Sequence, residues 1–450
     1  MSFEPRSVTA FRYAAARFDA ATAVAEFDFE LIGEGEPLRF TESITFTTGP
    51  AAPVLSAEDA ERLQRVLALL GAVLGLSYFK AAAPPRVELD VAGLTAEAVE
   101  YLRQVLRHGL AEFAYRAGLP SLLDPDIVAA DLAPALPIRD AEGAPFVPIG
   151  GGKDSVVSVE SLRAVGLEPA QFAVNPNAII TRVAEASELP LIAARRRLDP
   201  ALLDLNARGA LNGHVPVTAM NTLIAVAQSL LLGLGPVVMS NESSASDPTL
   251  EWDGESVNHQ WSKSLEAERL LSAVLEPQAG LRGASFSLLR PFSELRIARG
   301  FAATTRYDAA IVSCNRAFRL AGATPTWCGE CDKCRFVFLA LAPHLEPERL
   351  LGIIGHDLFA DEAQLPGFRA LLGLGDHKPF ECVGEEAESS VAVTLVSRMP
   401  RWADSPVIRA LLAEAPELAA GDAALEEHIL GESEALAVAA VYERARRALV

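Results

Sequence analysis

A short glycine-rich stretch constrains the fold of this chain more than any other feature of its sequence. Residues 146–155 read FVPIGGGKDS, and VVSVESL follows at residues 156–162. An apolar run, three glycines and a helix-like segment in this order predict a buried strand, a tight loop and the start of a helix. Glycines let a ligand approach the backbone closely, and N–H groups at a helix start favour an anion. With Lys153 adding a mobile cation, the stretch predicts a phosphate-binding loop in an α/β fold.

The loop departs from two common phosphate-binding motifs. A Walker A motif requires glycine where this chain has Val147 and Ser or Thr where it has Asp154. A Rossmann fingerprint requires glycine at the position of Ser155. The loop instead resembles the Ser-Gly-Gly-x-Asp-Ser loop of the ATP pyrophosphatases, with Gly150 replacing the leading serine. That resemblance implies cleavage of ATP between its α- and β-phosphates, and an ordinary glycine-rich turn is the alternative.

Each residue of the loop has an expected role. The N–H groups of the three glycines are expected to cradle phosphate, since no side chain separates them from a ligand. Lys153 and Ser155 are expected to donate to phosphate oxygens, while Asp154 orders the loop or engages Mg²⁺. The predicted nucleotide-binding residues are Gly150, Gly151, Gly152, Lys153, Asp154 and Ser155.

The composition of the chain argues against several classes of protein, including nucleic-acid-binding and membrane proteins. The chain has 450 residues, enough for two or three domains, and its composition, half apolar and 22% charged, is typical of a globular protein. A net charge of −20 repels nucleic-acid phosphate, so a nucleic-acid substrate is not expected. No uninterrupted apolar run reaches about 18 residues, so no membrane span is expected. The N-terminal residues MSFEPR lack the apolar region of a signal peptide, and we therefore expect a cytoplasmic protein.

Patterning divides the chain into three predicted regions. Residues 1–140 are predicted to form an N-terminal α+β domain, which either holds substrate or is purely structural. Residues 141–345 are predicted to form an ATP-pyrophosphatase-like nucleotide domain. The proline-rich residues 119–145 are predicted to be a linker or a wrapping segment before it. Residues 346–450 are predicted to be mainly helical. Alternation of strands and helices in the nucleotide domain favours a parallel sheet. Its predicted strands are residues 146–149, 171–174, 191–194 and 236–240.

Three polar side chains near predicted strand and helix ends are candidate catalytic residues. His259 and Lys263 are four residues apart, and on a helix this spacing would place a neutral base beside a cation on one face. His214 precedes a predicted helix at 219–232. Capping or loop roles are the alternative for such residues. Glu381 and Cys382 become candidates if their loop folds over the pocket.

Three of the five cysteines form a C-x2-C-x2-C pattern at Cys328, Cys331 and Cys334. Two-residue spacings let a turn point successive thiolates at one cation, and tetrahedral Zn²⁺ takes four such ligands. The predicted fourth ligand is Cys314, after a predicted strand at 309–312, and Cys382 is the second choice. A closed four-thiolate site is structural, so zinc is given no chemical step. Three reduced thiols in a loop are the alternative.

The phosphate loop followed by a four-cysteine knuckle resembles two families. One is the 7-cyano-7-deazaguanine synthases, and the other is MurL, the ATP-dependent UDP-N-acetylmuramoyl-L-alanyl-L-glutamate epimerases of cell-wall synthesis. The resemblance to MurL spans essentially the whole chain. It is carried by residues 148–155, 240–246, 258–264, 328–343 and 378–384.

The resemblance to MurL implies a reaction as well as a fold. It implies ATP, Mg²⁺ and structural Zn²⁺ as cofactors, and a UDP-N-acetylmuramoyl dipeptide as the small-molecule substrate. It further implies an acyl-adenylate through which L-Glu becomes D-Glu, with release of AMP and pyrophosphate. Another acyl-adenylating enzyme, such as an amidating ligase, is one alternative. A non-catalytic zinc-knuckle scaffold is the other.

Overall fold

The computed structural model describes residues 3–49, 55–318, 326–375, 381 and 383–450. Its strands are β1 (Val8–Asp19), β2 (Val24–Gly33), β3 (Leu38–Thr45), β4 (Arg86–Leu89), β5 (Asp126–Ala129), β6 (Arg139–Asp140), β7 (Phe146–Pro148), β8 (Ala170–Val174), β9 (Leu191–Arg197), β10 (Val237–Met239), β11 (Leu250–Trp252), β12 (Glu255–Val257), β13 (Leu281–Arg282) and β14 (Ser285–Ser287). Its α-helices are α1 (Ala57–Leu74), α2 (Leu76–Phe79), α3 (Ala96–Gly109), α4 (Ala111–Ala117), α5 (Lys153–Ala164), α6 (Ala178–Ser187), α7 (Pro200–Ala207), α8 (Val217–Leu232), α9 (Leu265–Ala279), α10 (Glu294–Ala302), α11 (Asp332–Leu341), α12 (Pro347–Ile354), α13 (Leu365–Leu371), α14 (Glu386–Ser397), α15 (Pro406–Glu414), α16 (Glu417–Ala420), α17 (Ala423–Leu430) and α18 (Ala440–Arg446).

One ten-stranded sheet runs through the protein in the order β14-β10-β7-β8-β9-β3-β2-β1-β4-β5. The five strands from β14 to β9 pair in parallel. Antiparallel pairs then lead from β9 through β3 and β2 to β1, and β4 and β5 pair in parallel beyond it. The structure therefore confirms an α/β fold with a large, mostly parallel sheet.

The strand order identifies the edge of the sheet where a ligand is expected. The predicted parallel strands are observed as β7, β8, β9 and β10, each within a few residues of its predicted bounds. β7 lies between β8, which follows it in sequence, and β10, which is reached only after β9. In open α/β sheets, ligands bind at the carboxyl ends of strands where the order reverses in this way. That point lies directly after β7, at the glycine loop.

The structure adds to one prediction about connecting segments and contradicts another. The proline-rich residues 119–145 are more than a linker, because they contain the edge strand β5 and the short strand β6. Residues 309–312 are not a strand but a turn and an irregular segment. The apolar side chains of residues 310–312 are buried in the core around α11, which explains the strand-like pattern. The Val312 N–H there donates to the Gly151 carbonyl at 3.0 Å.

The predicted N-terminal and nucleotide-binding regions share the sheet. Antiparallel pairing of residues 43–45 in β3 with residues 195–197 in β9 joins the two sets of strands. Helix α1 also packs against α8 and α9. The domain boundaries at residues 140 and 345 stay predictions, whereas the mainly helical C-terminal region is observed as α12 to α18.

Residues 57–79, which comprise α1 and α2, are long and apolar enough to cross a membrane, with a mean hydropathy of 1.2. However, 94% of the apolar window is buried inside the protein, as in a core helix. The start of α1 is capped as a soluble helix is, because the Asp59 N–H donates to the Ser56 hydroxyl at 3.1 Å. This helix therefore does not indicate a membrane protein.

Candidate functional site

A pocket of about 320 Å³ opens at the carboxyl ends of β7 and β10. The glycine loop after β7 forms one wall, and the segment after β10, with Ser240 and Glu242, forms another. Lys263, Ser313 and Lys333 also line it. This pocket, called the loop pocket below, lies where the strand order predicts a ligand.

The conformation of the glycine loop requires glycine at two of its three positions. Gly151 has a φ of +87°, and a Cβ there would lie 2.8 Å from Ile179 Cγ2. A Cβ at Gly152 would lie 2.5 Å from Ser313 Oγ, whereas one at Gly150 would meet nothing within 4 Å. Helix α5 begins directly after Gly152 without a side-chain cap. The open space therefore lies beside Gly150, at the uncapped start of a helix.

Lys153 is not a mobile cation in the structure. Its side chain is 2% exposed, and its Nζ donates to Asp154 and to Glu294 at the start of α10. Lys333, in α11, contacts the other Glu294 oxygen at 3.2 Å and also lines the loop pocket. Glu294 therefore joins the glycine loop to the helix that carries part of the cysteine knuckle.

The buried charges in this network compensate one another. Burial alone would raise the pKa of Glu294, but Lys153 and Lys333 outweigh it and hold the pKa of that carboxyl well below its usual range. Burial, followed by the charge of Glu294, raises the pKa of Asp154 to about 6. Burial and the same charge also raise the pKa of Glu388, whose Oε1 accepts the Glu294 N–H at 2.9 Å. Through Glu388, helix α14 supports the network behind the loop.

The four predicted zinc ligands lie together. Cys331 Sγ is 3.9 Å from Cys314 Sγ and 3.5 Å from Cys334 Sγ, and Cys328 Sγ is 3.8 Å from Cys334 Sγ. All four sulfurs lie within 4.8 Å of one another. Disulfide sulfurs would be about 2.05 Å apart, whereas a tetrahedron with Zn–S bonds of about 2.3 Å has edges of about 3.8 Å. The cluster is thus compatible with Zn²⁺, and Cys382 lies outside the described residues.

His259 and His214 meet around a carboxylate that the sequence analysis missed. His259 Nδ1 lies 2.5 Å from Glu112 Oε2, and His214 Nδ1 lies 3.7 Å from the same oxygen. The two imidazole centroids are 4.9 Å apart. The other Glu112 oxygen accepts the Arg116 Nε–H at 2.6 Å. Packing of α4 against β12 brings these distant segments together.

The expected pairing of His259 with Lys263 on one helical face is wrong. His259 lies in a turn, and only Trp261–Lys263 form a helix, which is a 3₁₀-helix. At three residues per turn, positions four apart do not share a face. His259 therefore contacts Glu112, while Lys263 lines the loop pocket.

The electrostatics of the histidine pair hold His214 in its neutral form. Burial, followed by His259, lowers the pKa of His214 to about 4, so His214 is neutral at neutral pH. Lys80 and Lys263 contribute to the same lowering, which places positive charge beside the pair. The three side chains also have the composition of a metal site. The neighbouring cations and the 2.5 Å contact favour a hydrogen-bonded acid–base cluster over a metal site.

Of the site residues that the sequence analysis missed, some could have been inferred from the sequence and others could not. Lys333 lies between two cysteines of the knuckle, so its place near that cluster could have been inferred. Glu112 and Glu294 lie in helices without any local motif, and only tertiary packing brings them to the site. The Glu381 and Cys382 alternative stays a prediction, since residues 376–380 and 382 lie outside the described residues.

Comparison with known proteins covers nearly the whole chain. The family model described as the MurL N-terminal domain matches residues 2–288, and the model of the MurL C-terminal domain matches residues 310–426. No solved structure matches.

Three curated relatives share the name UDP-N-acetyl-alpha-D-muramoyl-L-alanyl-L-glutamate epimerase. The Salinispora tropica protein is 53% identical over 92% of this chain and 90% of its own length. The Micromonospora protein is 53% identical over 94% of each chain, and the Xanthomonas oryzae pv. oryzae protein is 40% identical over 99% of this chain and 98% of its own. With both family domains present and full-length relatives at these identities, the chain belongs to the MurL family.

Proposed function

We propose that this protein converts the terminal L-Glu of UDP-N-acetylmuramoyl-L-alanyl-L-glutamate to D-Glu, with ATP, in peptidoglycan precursor synthesis. The observation that carries the proposal is the match to relatives of that name at 40–53% identity over nearly the whole chain. The loop pocket and the Glu112–His259–His214 cluster support it, because the reaction needs a nucleotide site and an acid–base site.

The loop pocket is the proposed ATP site. Backbone N–H groups of the glycine loop and the Ser155 hydroxyl would contact phosphate, and Lys333 supplies a cation in the pocket wall. Lys153 would act indirectly, by fixing the loop through Glu294. Asp154 and Glu242 also line the pocket, and carboxylates of this kind hold Mg²⁺ together with phosphate oxygens. Bound Mg²⁺ would neutralise charge on the triphosphate.

The charge of the substrate explains the use of ATP. Removing the α-proton beside a free carboxylate would place a second negative charge on the same group. In the proposed first step, a carboxylate oxygen of the terminal glutamate bonds to the α-phosphorus of ATP while the bond to the β-phosphate breaks and pyrophosphate leaves. The resulting acyl-adenylate is a better electron acceptor, so the enolate formed next can be stabilised by nearby donors.

The histidine cluster is the proposed proton-transfer site. His259 would accept the α-proton at Nε2, while Glu112 stabilises the resulting imidazolium from the Nδ1 side. Lys263 would stabilise the enolate, and His214, which is neutral at rest and would take up a proton from water before passing it on, is the proposed second proton carrier. Delivery of a proton to the opposite face gives the D configuration. Water then hydrolyses the adenylate, which releases AMP and restores the carboxylate.

Incubation with the UDP-linked dipeptide, with and without Mg-ATP, tests this function. Chiral analysis of glutamate after acid hydrolysis should show D-Glu only with ATP, together with AMP. Unchanged L-Glu without AMP would contradict the proposal. Strict dependence of AMP release on ammonia would favour an amidating or deazaguanine-type enzyme, and ATP binding without pyrophosphate release would favour a scaffold.

A further inference from the structure

A second pocket, of about 450 Å³, lies at the carboxyl end of β9. None of its lining residues is acidic, although the chain has a net charge of −20. The lining residues are Asn175, Pro176, Ala193, Arg195, Arg196 and Arg197. We call it the arginine pocket.

Strand geometry gives the three arginines different environments. Successive side chains alternate between the two faces of a sheet, so Arg195 and Arg197 share one face and Arg196 lies on the other. Arg196 is half-buried, with its Nε 2.5 Å from Glu42 Oε1 and an Nη2 3.1 Å from Ser77 Oγ. Arg195 and Arg197 are exposed, and within the described residues neither has an ion-pair partner.

The neighbouring charges on the same exposed face are compensated. The residues opposite Arg195 and Arg197 on β3 are Thr45 and Ser43, which carry no charge. Farther along the sheet, each arginine of β1 and β3 on this face contacts a carboxylate. These contacts are Arg12 with Glu30 and Glu88, Arg17 with Glu26 and Asp28, and Arg39 with Glu30. Arg195 and Arg197 therefore present uncompensated positive charge beside a concave surface.

The strand end that carries these arginines is held on both sides. The Asn175 side chain donates to the Arg196 carbonyl at 2.9 Å and accepts the Arg196 N–H at 3.0 Å. The pairing with β3 fixes the other side. Two guanidinium groups on a fixed backbone lose less freedom on binding than two on a loop.

The arginine pocket lies on the same sheet edge as the loop pocket. Pro148 on β7 is level with Phe172 on β8, which is level with Ile192 on β9. Two strand spacings separate β7 from β9, which is about 10 Å. Gly150 follows Pro148 by two residues and Arg195 follows Ile192 by three, so both pockets open at the same end of these strands, where an extended ligand would contact both.

We propose that Arg195 and Arg197 bind the diphosphate of a UDP-linked substrate. Guanidinium groups match phosphate oxygens geometrically and remain charged at any physiological pH. The inference rests on the proposed function, since the epimerase substrate carries a diphosphate far from its reacting glutamate. Anchoring that diphosphate at β9 leaves the dipeptide to extend towards the loop pocket.

Isothermal titration of the full-length protein with UDP, and separately with Mg-ATP, tests the assignment. The variant Arg195→Gln/Arg197→Gln is expected to bind UDP about tenfold or more weakly, because two charge-assisted contacts are lost. Its Mg-ATP affinity should be unchanged. The control Arg282→Gln/Arg447→Gln removes the same charge from positions that are 57% and 56% exposed, and should bind both ligands as the wild type does.

The outcomes separate this inference from the proposed function. Equal UDP affinity in all three proteins would overturn the assignment, as would a loss of Mg-ATP affinity instead of UDP affinity. UDP binding that depends on the arginines, without D-Glu formation by the wild type, would retain the site and refute the epimerase. If the double variant does not fold, Arg195→Gln and Arg197→Gln are titrated singly, with the same criteria.

Discussion

His259 Nδ1 lies 2.5 Å from Glu112 Oε2, although the two residues are 147 positions apart in the chain. Burial alone would raise the pKa of Glu112, but the contacts with His259, His214 and Arg116 together outweigh burial and lower it. An ionised carboxylate can only accept a hydrogen bond, so Nδ1 carries the proton and Nε2 is the basic position. This relationship would prepare His259 for its proposed role as the base.

Glu112→Gln keeps the shape of the side chain and removes the charge that selects the tautomer. The kcat of epimerisation is expected to fall on the order of 10²–10⁴-fold, with little change in KM for either substrate. Glu112→Asp should restore part of the rate. The control Glu100→Gln changes an exposed carboxylate on α3 and should leave the rate unchanged. A raised KM with an unchanged kcat would contradict a positioning role.

His214 makes stability depend on pH. Burial and His259 lower its pKa from 6.5 to about 4, so the unfolded chain binds this proton more tightly than the folded one. The contribution is present above pH 6.5 and is lost as pH falls towards 4. Urea denaturation should therefore show a smaller loss of unfolding free energy between pH 7 and pH 5 for His214→Gln, by roughly 2 kcal/mol. The same pH dependence in both proteins would contradict this.

Substitutions at Gly150 and Gly151 distinguish a glycine that a ligand contacts from a glycine that the backbone conformation requires. Gly150→Val adds a side chain to open space, so it should weaken ATP binding about tenfold or more while the melting temperature is retained. Gly151→Val should lower the melting temperature as well, because φ is +87° and Ile179 blocks the side chain. Titration with ATP and thermal unfolding measure both effects. Unchanged ATP affinity in Gly150→Val would place the nucleotide elsewhere.

The cysteine cluster predicts about one zinc per chain. Metal analysis should find zinc lost from Cys314→Ser and Cys334→Ser but retained in the matched variant Cys382→Ser. Chelation should lower thermal stability, since closed sites support folding. Retention in Cys314→Ser with loss in Cys382→Ser would assign the fourth ligand to Cys382. A metal-free protein of full stability would refute the site.

Local sequence patterns predicted those strands, helices and clusters that depend on residues close together in the chain. Apolar runs bounded by glycine or capping residues gave β7 to β10 and helix α8, and two-residue spacings gave the cysteine cluster. The edge strand β5 escaped detection because its four residues are at most half-buried and lack apolar alternation. Residues 309–312 were predicted to be a strand but are not one. Buried residues that form no strand pairing can show the same apolar pattern as a strand.

The chemistry of the site depends on contacts that no local pattern encodes. The motif around Lys153 predicts a mobile cation, but α10 supplies Glu294 and turns that lysine into a buried structural charge. His259 was recognised as a candidate from its residue type, whereas its actual partner comes from α4. Residue types therefore selected these candidate side chains, whereas tertiary packing determines which groups they contact.

The most direct test of the proposed reaction is deuterium incorporation at the glutamate α-carbon in D₂O, measured alongside pyrophosphate release. The wild type should incorporate deuterium only with ATP, and it should form AMP and D-Glu together. His259→Ala should still release pyrophosphate when the UDP-linked dipeptide is present, but should lose deuterium incorporation. Incorporation by the wild type without ATP would contradict the adenylate route, and incorporation by His259→Ala would show that another group removes the proton.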